Sequence, residues 1–421
     1  MTMGRKSHFW RELKSWATLA FALGVLEGGV AGVLVRHRFD GLVSNDQLAF
    51  FVALVVGAPT IANLASPLWA YLEQGRDKIK FVSYLGMLLS LTVGVMAIAP
   101  RTSLGLVMFS VAVVLGRFFW TGILTVRATI WRANYPRNIR AKLTGKMAIV
   151  MAVIMATSGA SLGVINDTWA NLVPFYLGAS AVLGALGAWA YRAVRLRGAD
   201  KLYRAERRQR NEDGGFRLSV MWEILRTDKL FRNYMMVMFV FGSGNLMFMA
   251  PMILVMNDAM NIDSRMQMLA TSSIPLALMP FMIQWWARRL DRMHIIEYRA
   301  SHCWSFVIAI GCFAATAITG WQPLLWLAAF LYGIAVSGAV LGWNLGHLDF
   351  ASQEKAAQYM TIHITLTGIR GLLMPMVGVA LYQWLNRGGE SGAYALLLPF
   401  LLNVVGALAF QWLKKNFKKQ R

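Results

Sequence analysis

The chain has 421 residues, 57% of them apolar and 15% charged, with a mean hydropathy of +0.49 and a formal net charge of +22. A soluble domain carries about 45–50% apolar and about 25% charged residues, so the composition excludes an ordinary water-soluble enzyme and points to a chain that crosses a membrane many times. Cys303 and Cys312 share one apolar stretch, which excludes a disulfide framework and a cysteine metal site.

The basic start, Arg5 to Trp16, leads into an apolar run with no small-residue cleavage site and reads as an uncleaved first helix. Windows long enough to span a bilayer recur at about 16–35, 48–72, 81–99, 104–130, 144–165, 173–191, 234–256, 266–286, 300–319, 324–345, 360–384 and 393–413. Each must be a helix, because lipid offers backbone groups no partner and a helix satisfies its own. The expected fold is an all-α polytopic membrane protein with twelve transmembrane helices in two pseudo-symmetric bundles. It divides into a six-helix bundle at 1–195, a basic linker at 196–229 and a second six-helix bundle at 230–421.

The longest polar gap, about 192–233, holds Arg192, Arg195, Arg197, Lys201, Arg204, Arg207, Arg208, Arg210 and Arg217 beside Glu206, Glu212 and Asp213. Its end, Phe216 to Phe231, is amphipathic and suited to lie flat at the membrane surface. About 33 Lys and Arg fall in the termini and the loops on their side, against about 5 on the other, which places both termini in the cytoplasm. Basic charge spread over every inner loop also removes nucleic acid as a partner. The expected location is a bacterial inner membrane, with the chain acting as a monomer.

The two halves repeat at an offset near 217. Phe21-Ala-Leu-Gly24-Val-Leu-Glu27 matches Phe239-Val-Phe-Gly242-Ser-Gly-Asn245. Trp69-Ala70 matches Trp286-Ala287, and Thr144 matches Thr361. Equivalent positions in both halves support a six-plus-six duplication.

This organisation resembles the major facilitator superfamily of secondary transporters. The loop after helix two, Ala70-Tyr-Leu72-Glu73-Gln74-Gly75-Arg76-Asp77-Lys78, is similar to that family's Gly-x-Leu-Ala-Asp-Arg loop, with Gln74 in place of an acid. The loop after helix eight, Trp286-Ala287-Arg288-Arg289-Leu290-Asp291-Arg292, keeps an Asp-Arg pair. The resemblance implies alternating access and a cytoplasmic gate at Asp291 and Arg292. Arg117 to Gly122 is similar to the family's helix-four motif. Gly159-Ala-Ser-Leu-Gly163 keeps the helix-five spacing without the proline of drug/proton antiporters.

An ionisable side chain near the bilayer centre costs about 2.5–3.5 kcal/mol on insertion scales, so each one asks for a reason. Glu27, Arg117 and Arg370 lie near span midpoints. Glu27 stands among Gly24, Gly28, Gly29 and Gly32, where neighbouring helices approach closely. Burial favours its neutral form and a nearby arginine its charged form, the balance that loading and releasing a proton requires. Glu27 is therefore the expected proton carrier, partnered by Arg117; the bland alternative is a permanent structural pair. Arg117 and Arg370 are expected to line one central cavity and to favour an anionic or zwitterionic solute. The alternative for Arg370 is that it caps backbone carbonyls near Gly368 and Gly371. Asn245, Asn344 and Trp120 complete the expected solute site, with Asn63, Trp343 and Tyr332 as further candidates on spanning helices.

Met252, Met256 and Met260 repeat every four residues in helix seven. Thioethers select Cu(I), and a copper-importing branch of the family uses similar spacing, so copper import is one alternative; gap-filling by flexible side chains is the other reading. No phosphate-binding loop, metalloprotease motif or paired-carboxylate constellation appears, so an ATP-driven pump and an enzyme are not expected, and no cofactor is called for. The expected function is proton-coupled movement of a small solute. An uncoupled facilitator and a non-transporting receptor of the same fold are the remaining alternatives.

Overall fold

The computed structural model describes residues 3–212, 218–351, 355–389 and 391–420. Helices α1 (Met3–Val25) and α2 (Gly28–Arg38) make the first span, bent by 42° at Leu26 and Glu27. The second span runs from α3 (Asn45–Ile61) through a tight turn at Ala62–Ala65 into α4 (Ser66–Glu73). Spans three to six are α5 (Lys78–Ile98), α6 (Ser103–Asn134), α7 (Arg137–Thr168) and α8 (Val173–Ala190). Linker helices α9 (Ala199–Glu212) and α10 (Leu218–Thr227) follow. Residues 213–217, which include Asp213, Phe216 and Arg217, lie outside the described residues.

The seventh span is α11 (Lys229–Met247) followed by α12 (Met249–Asp258). The eighth is α13 (Ser264–Met268), a wide π turn at Leu269–Ser273, and α14 (Ile274–Leu290). Spans nine to twelve are α15 (Ile295–Thr319), α16 (Gln322–Leu345), α17 (Ala356–Arg387) and α18 (Leu397–Gln420). Among the described residues, eleven helices are long and apolar enough to cross a membrane, and the bent first pair brings the number to twelve. The expected all-α polytopic fold is present. With an even number of spans, both termini lie on one face.

Local chemistry explains the breaks. Asp77 caps α5 at the amides of Ile79 and Lys80, and Thr102 caps α6 at Gly105. The first span was expected to run unbroken through Glu27. Instead Glu27 is extended (φ −62°, ψ 134°) and begins α2, because the adjacent Gly28-Gly29 pair gives the helix little reason to continue. A side chain on Gly29 would also collide with Ser272 Oγ of the π turn.

The two bundles meet along α3 and α17, along α7 with α13 and α14, and along α2 with α12. The polar bonds described between them lie at the end away from the termini. Arg36 donates to Asp258 Oδ1 through Nε (3.1 Å) and Nη2 (2.5 Å), and Tyr382, from within the same bundle as Asp258, donates to its Oδ2 at 2.6 Å. Asp167 accepts from the amide and hydroxyl of Ser264 (3.2 and 2.5 Å) and from the amide of Arg265 at 2.7 Å. Arg387 pairs with Asp46. At the terminal end, Leu68, Asn344 and Leu345 are exposed. The molecule is thus latched at the far end.

Candidate functional site

The bent first span and the seventh span, interrupted at Phe248, face one another at mid-depth. The α1–α2 break supplies Glu27, Gly28 and Gly29, and the α11–α12 junction supplies Asn245, Leu246 and Met249. Between them lies a cavity of about 220 Å³. Thr60 of α3, Thr271 and Ser272 of the π turn, and Tyr332 of α16 complete its polar wall. Glu27 and Asn245, matched by the internal repeat, therefore line one cavity. The rest of the wall is apolar, with Val56, Leu276, Val336 and Pro375.

Glu27 keeps its carboxylate 29% exposed, and Arg117 Nη1 stands 3.7 Å from Oε2. The guanidinium is largely buried on α6, and its Nε has no partner among the described residues. Arg117 is not among the residues that line the cavity, so the cation stands behind the carboxylate without closing it. Asn245 Oδ1 and Ser272 Oγ are buried and have no hydrogen-bond partner among the described residues, at a cost of roughly 1–3 kcal/mol each if they stay dry.

Other sequence-expected residues stand elsewhere. Arg370 does not line the cavity. It is 2% exposed, donates to Met238 O, to Leu366 O (3.3 Å) and to Thr367 Oγ1 (3.0 Å), and fits against the bare backbone of Gly242. In a low-dielectric interior a guanidinium without a carboxylate takes carbonyls, and here it braces α17 to α11. Trp120 packs edge-on to Trp16, 6.1 Å away, inside the N bundle. Arg127 lies over the rings of Trp16, Trp120 and Trp131. Glu12, fully buried beneath this cage, accepts from Trp16 (3.2 Å), Trp131 (2.8 Å), Tyr135 (2.5 Å) and Tyr191 (3.2 Å). Burial, then the Glu12 charge, pushes the Tyr135 phenol well above its usual range, so it stays a donor. Sequence reading passed over Glu12 because it lies before the apolar window.

Asn344 donates to Val340 O at 2.7 Å on the exposed terminal end of α16, away from the cavity. Asp291 and Arg292 are exposed in the turn between α14 and α15, with no ion pair described for either. Met252 and Met256 are fully buried in packed helix, and Met249 is the methionine of that stretch that reaches the cavity. Thr60, Thr271 and Ser272 had no sequence signal, since hydroxyls in apolar helices commonly bond their own backbone.

The first gate loop is held from the linker. Lys78, fully buried, pairs with Glu73 and, at 2.7 Å, with Glu206 of α9. Glu206 also accepts from the Gly75 amide at 2.8 Å, and Tyr203 accepts from the Lys78 amide at 3.2 Å. The linker thus supplies a carboxylate beside a loop that carries Gln74. Glu206→Gln is expected to lower the melting temperature through a loss of about 1–3 kcal/mol. Adding Lys78→Met with Glu73→Gln should recover much of that loss, because both remaining buried charges go too. Thermal melts of both variants test this; equal melting of Glu206→Gln and the parent would remove the clasp.

The family model described as Major Facilitator Superfamily matches residues 15–375. No curated protein sequence matches the chain. Among solved structures, a mutant of the nucleoside transporter NupG superposes with a TM-score of 0.71 at 15% identity, covering 96% of this chain and 98% of that one. A D-xylose-proton symporter gives 0.71 at 12% identity, covering 96% of each chain. The POT family transporter PepTSo gives 0.70 at 11% identity, covering 99% of each. At such identities these likenesses concern the fold.

Proposed function

The chain belongs to the major facilitator superfamily of secondary transporters, and on that premise we propose that it moves a small polar solute by alternating access, coupled to protons through Glu27. The carrying observation is Glu27 at a helix break, inside the cavity, with Arg117 3.7 Å behind it. A proton that neutralises Glu27 releases Arg117 from its partner. It also turns an acceptor into a donor toward the cavity. Solute and proton therefore meet in one space, and the loaded site can reorient without an uncompensated carboxylate.

The termini face the cytoplasm in this reading, as the basic loops favour. The latched end is then external, and the structure is inward-facing. The preference for an anionic solute loses its basis, because Arg370 is occupied by carbonyls and Arg117 stands behind Glu27. A wall of one carboxylate, one amide and four hydroxyls suits an uncharged or zwitterionic solute rich in hydrogen-bonding groups.

A thermal-shift panel of sugars, nucleosides, amino acids, dipeptides and organic anions tests the class. A ligand at a hundred times its Kd adds about 2.7 kcal/mol. Stabilisation by neutral or zwitterionic compounds, weakened in Asn245→Ala, is the expected result. Stabilisation by organic anions alone would overturn it.

A further inference from the structure

Linker helix α10 borders a groove separate from the central cavity. The groove has a volume of about 380 Å³ and apolar walls formed by Leu225 of α10, Met236 and Phe239 of α11, and Leu366 of α17. Trp222 of α10 is 70% exposed at its rim and Met236 of α11 is 62% exposed. Arg226 and Arg232 also line it. Neither arginine forms an ion pair among the described residues; Arg232 gives one long bond, 3.5 Å, to Leu225 O. The nearest acid in sequence, Asp228, is engaged: it accepts from the Phe231 amide at 2.9 Å and from Tyr359 at 2.8 Å.

The geometry points to a binding site for one anionic phospholipid of the leaflet on the terminal side, with its phosphate at Arg226 and Arg232 and an acyl chain along Met236 and Phe239. Three features select this occupant. The amphipathic α10 leads directly into a spanning helix, so its level is that of the headgroups. The seven residues from Arg232 to Phe239 descend about 10 Å along α11, from charged to apolar wall. Two cations without carboxylate partners complement a phosphodiester, and a net-neutral choline headgroup meets them less well. The inner end is closed by Phe239, whose ring lies 5.6 Å from the Arg370 guanidinium that braces α17 to α11.

The test uses the full chain in nanodiscs of phosphatidylglycerol or phosphatidylcholine, followed by extraction and native mass spectrometry of retained lipid. The parent should keep one phosphatidylglycerol in preference to phosphatidylcholine. Each basic residue near a membrane surface contributes about 1 kcal/mol, so Arg226→Gln with Arg232→Gln should weaken retention by about thirtyfold. Leu225→Trp, which fills the groove and leaves the charges, should also release the lipid. Melting temperatures of the variants in detergent check their folding. Equal retention of both lipids, or retention unchanged in Leu225→Trp, would overturn the site. Displacement of the lipid by millimolar inorganic phosphate would assign the arginines to a free anion instead.

Discussion

Glu27→Gln is expected to abolish uphill accumulation in proteoliposomes carrying a proton gradient, while exchange of labelled for unlabelled solute continues. One elementary charge across 100 mV supplies about 2.3 kcal/mol, which sustains roughly a fiftyfold solute gradient. A glutamine keeps the shape and the hydrogen bonds of a protonated glutamate but cannot release a proton. The variant should therefore equilibrate solute and stop, a fall from as much as about fiftyfold to parity. Uptake by the variant should also ignore a protonophore. The split between accumulation and exchange separates coupling from mere structure. If Glu27 only anchored the bundle, both activities would fall together with the melting temperature. If the variant accumulated solute like the parent, the coupling role would be gone.

Asp258→Asn is expected to open the far end. Asp258 receives Arg36 across the bundle interface and Tyr382 from within its own bundle, so one substitution removes the counter-charge of a largely buried cation. Breaking a wholly buried pair costs roughly 3–5 kcal/mol. Here Asp258 is 31% exposed and Arg36 keeps Asp40 at 2.6 Å, so a smaller shift of about 1.4 kcal/mol, tenfold in population, is the expectation. Spin labels at Leu42 and Tyr394, both exposed at that end, should show a longer distance population in the variant. Arg387→Gln breaks a pair whose members are 68% and 54% exposed, and exposed pairs contribute about 0–1 kcal/mol. Its distance distribution should barely move. Equal distributions for Asp258→Asn and the parent would show that packing of α3 on α17, rather than charge, holds the end shut.

This latch stands at the opposite end from the gate expected in the sequence. Sequence reading set it at Asp291 and Arg292, on the terminal side, through a family loop. In this conformation those residues are exposed, and the charges that join the bundles are Arg36, Asp46, Asp258 and Arg387, with Asp167 capping α13 from the opposite bundle. Asp167 gave no sign of a latch in the sequence, because one acid at a helix end is ordinary until its partner is known. A gate loop engages only when its own side closes, so each conformation displays one set of latches.

The membrane spans, and the presence of a carboxylate, Glu27, within the first of them, were legible in the residues alone. Spanning is a matter of apolar length, which a window of about 20 residues contains. A carboxylate in such a window stands out because its cost does not depend on its neighbours. The sequence match of Glu27 with Asn245 is consistent with their lining one cavity, since equivalent positions in two like halves lie at equivalent depth. Tertiary structure decided what each buried charge faces. Arg117 and Arg370 look alike in sequence, yet one stands behind the cavity acid and the other is fastened to the carbonyls of Leu366 and Met238. That difference comes from the rotation of each helix about its axis and from a partner more than a hundred residues away. Neither is written in a local window, because hydropathy measures how deep a residue can sit and not which way it points.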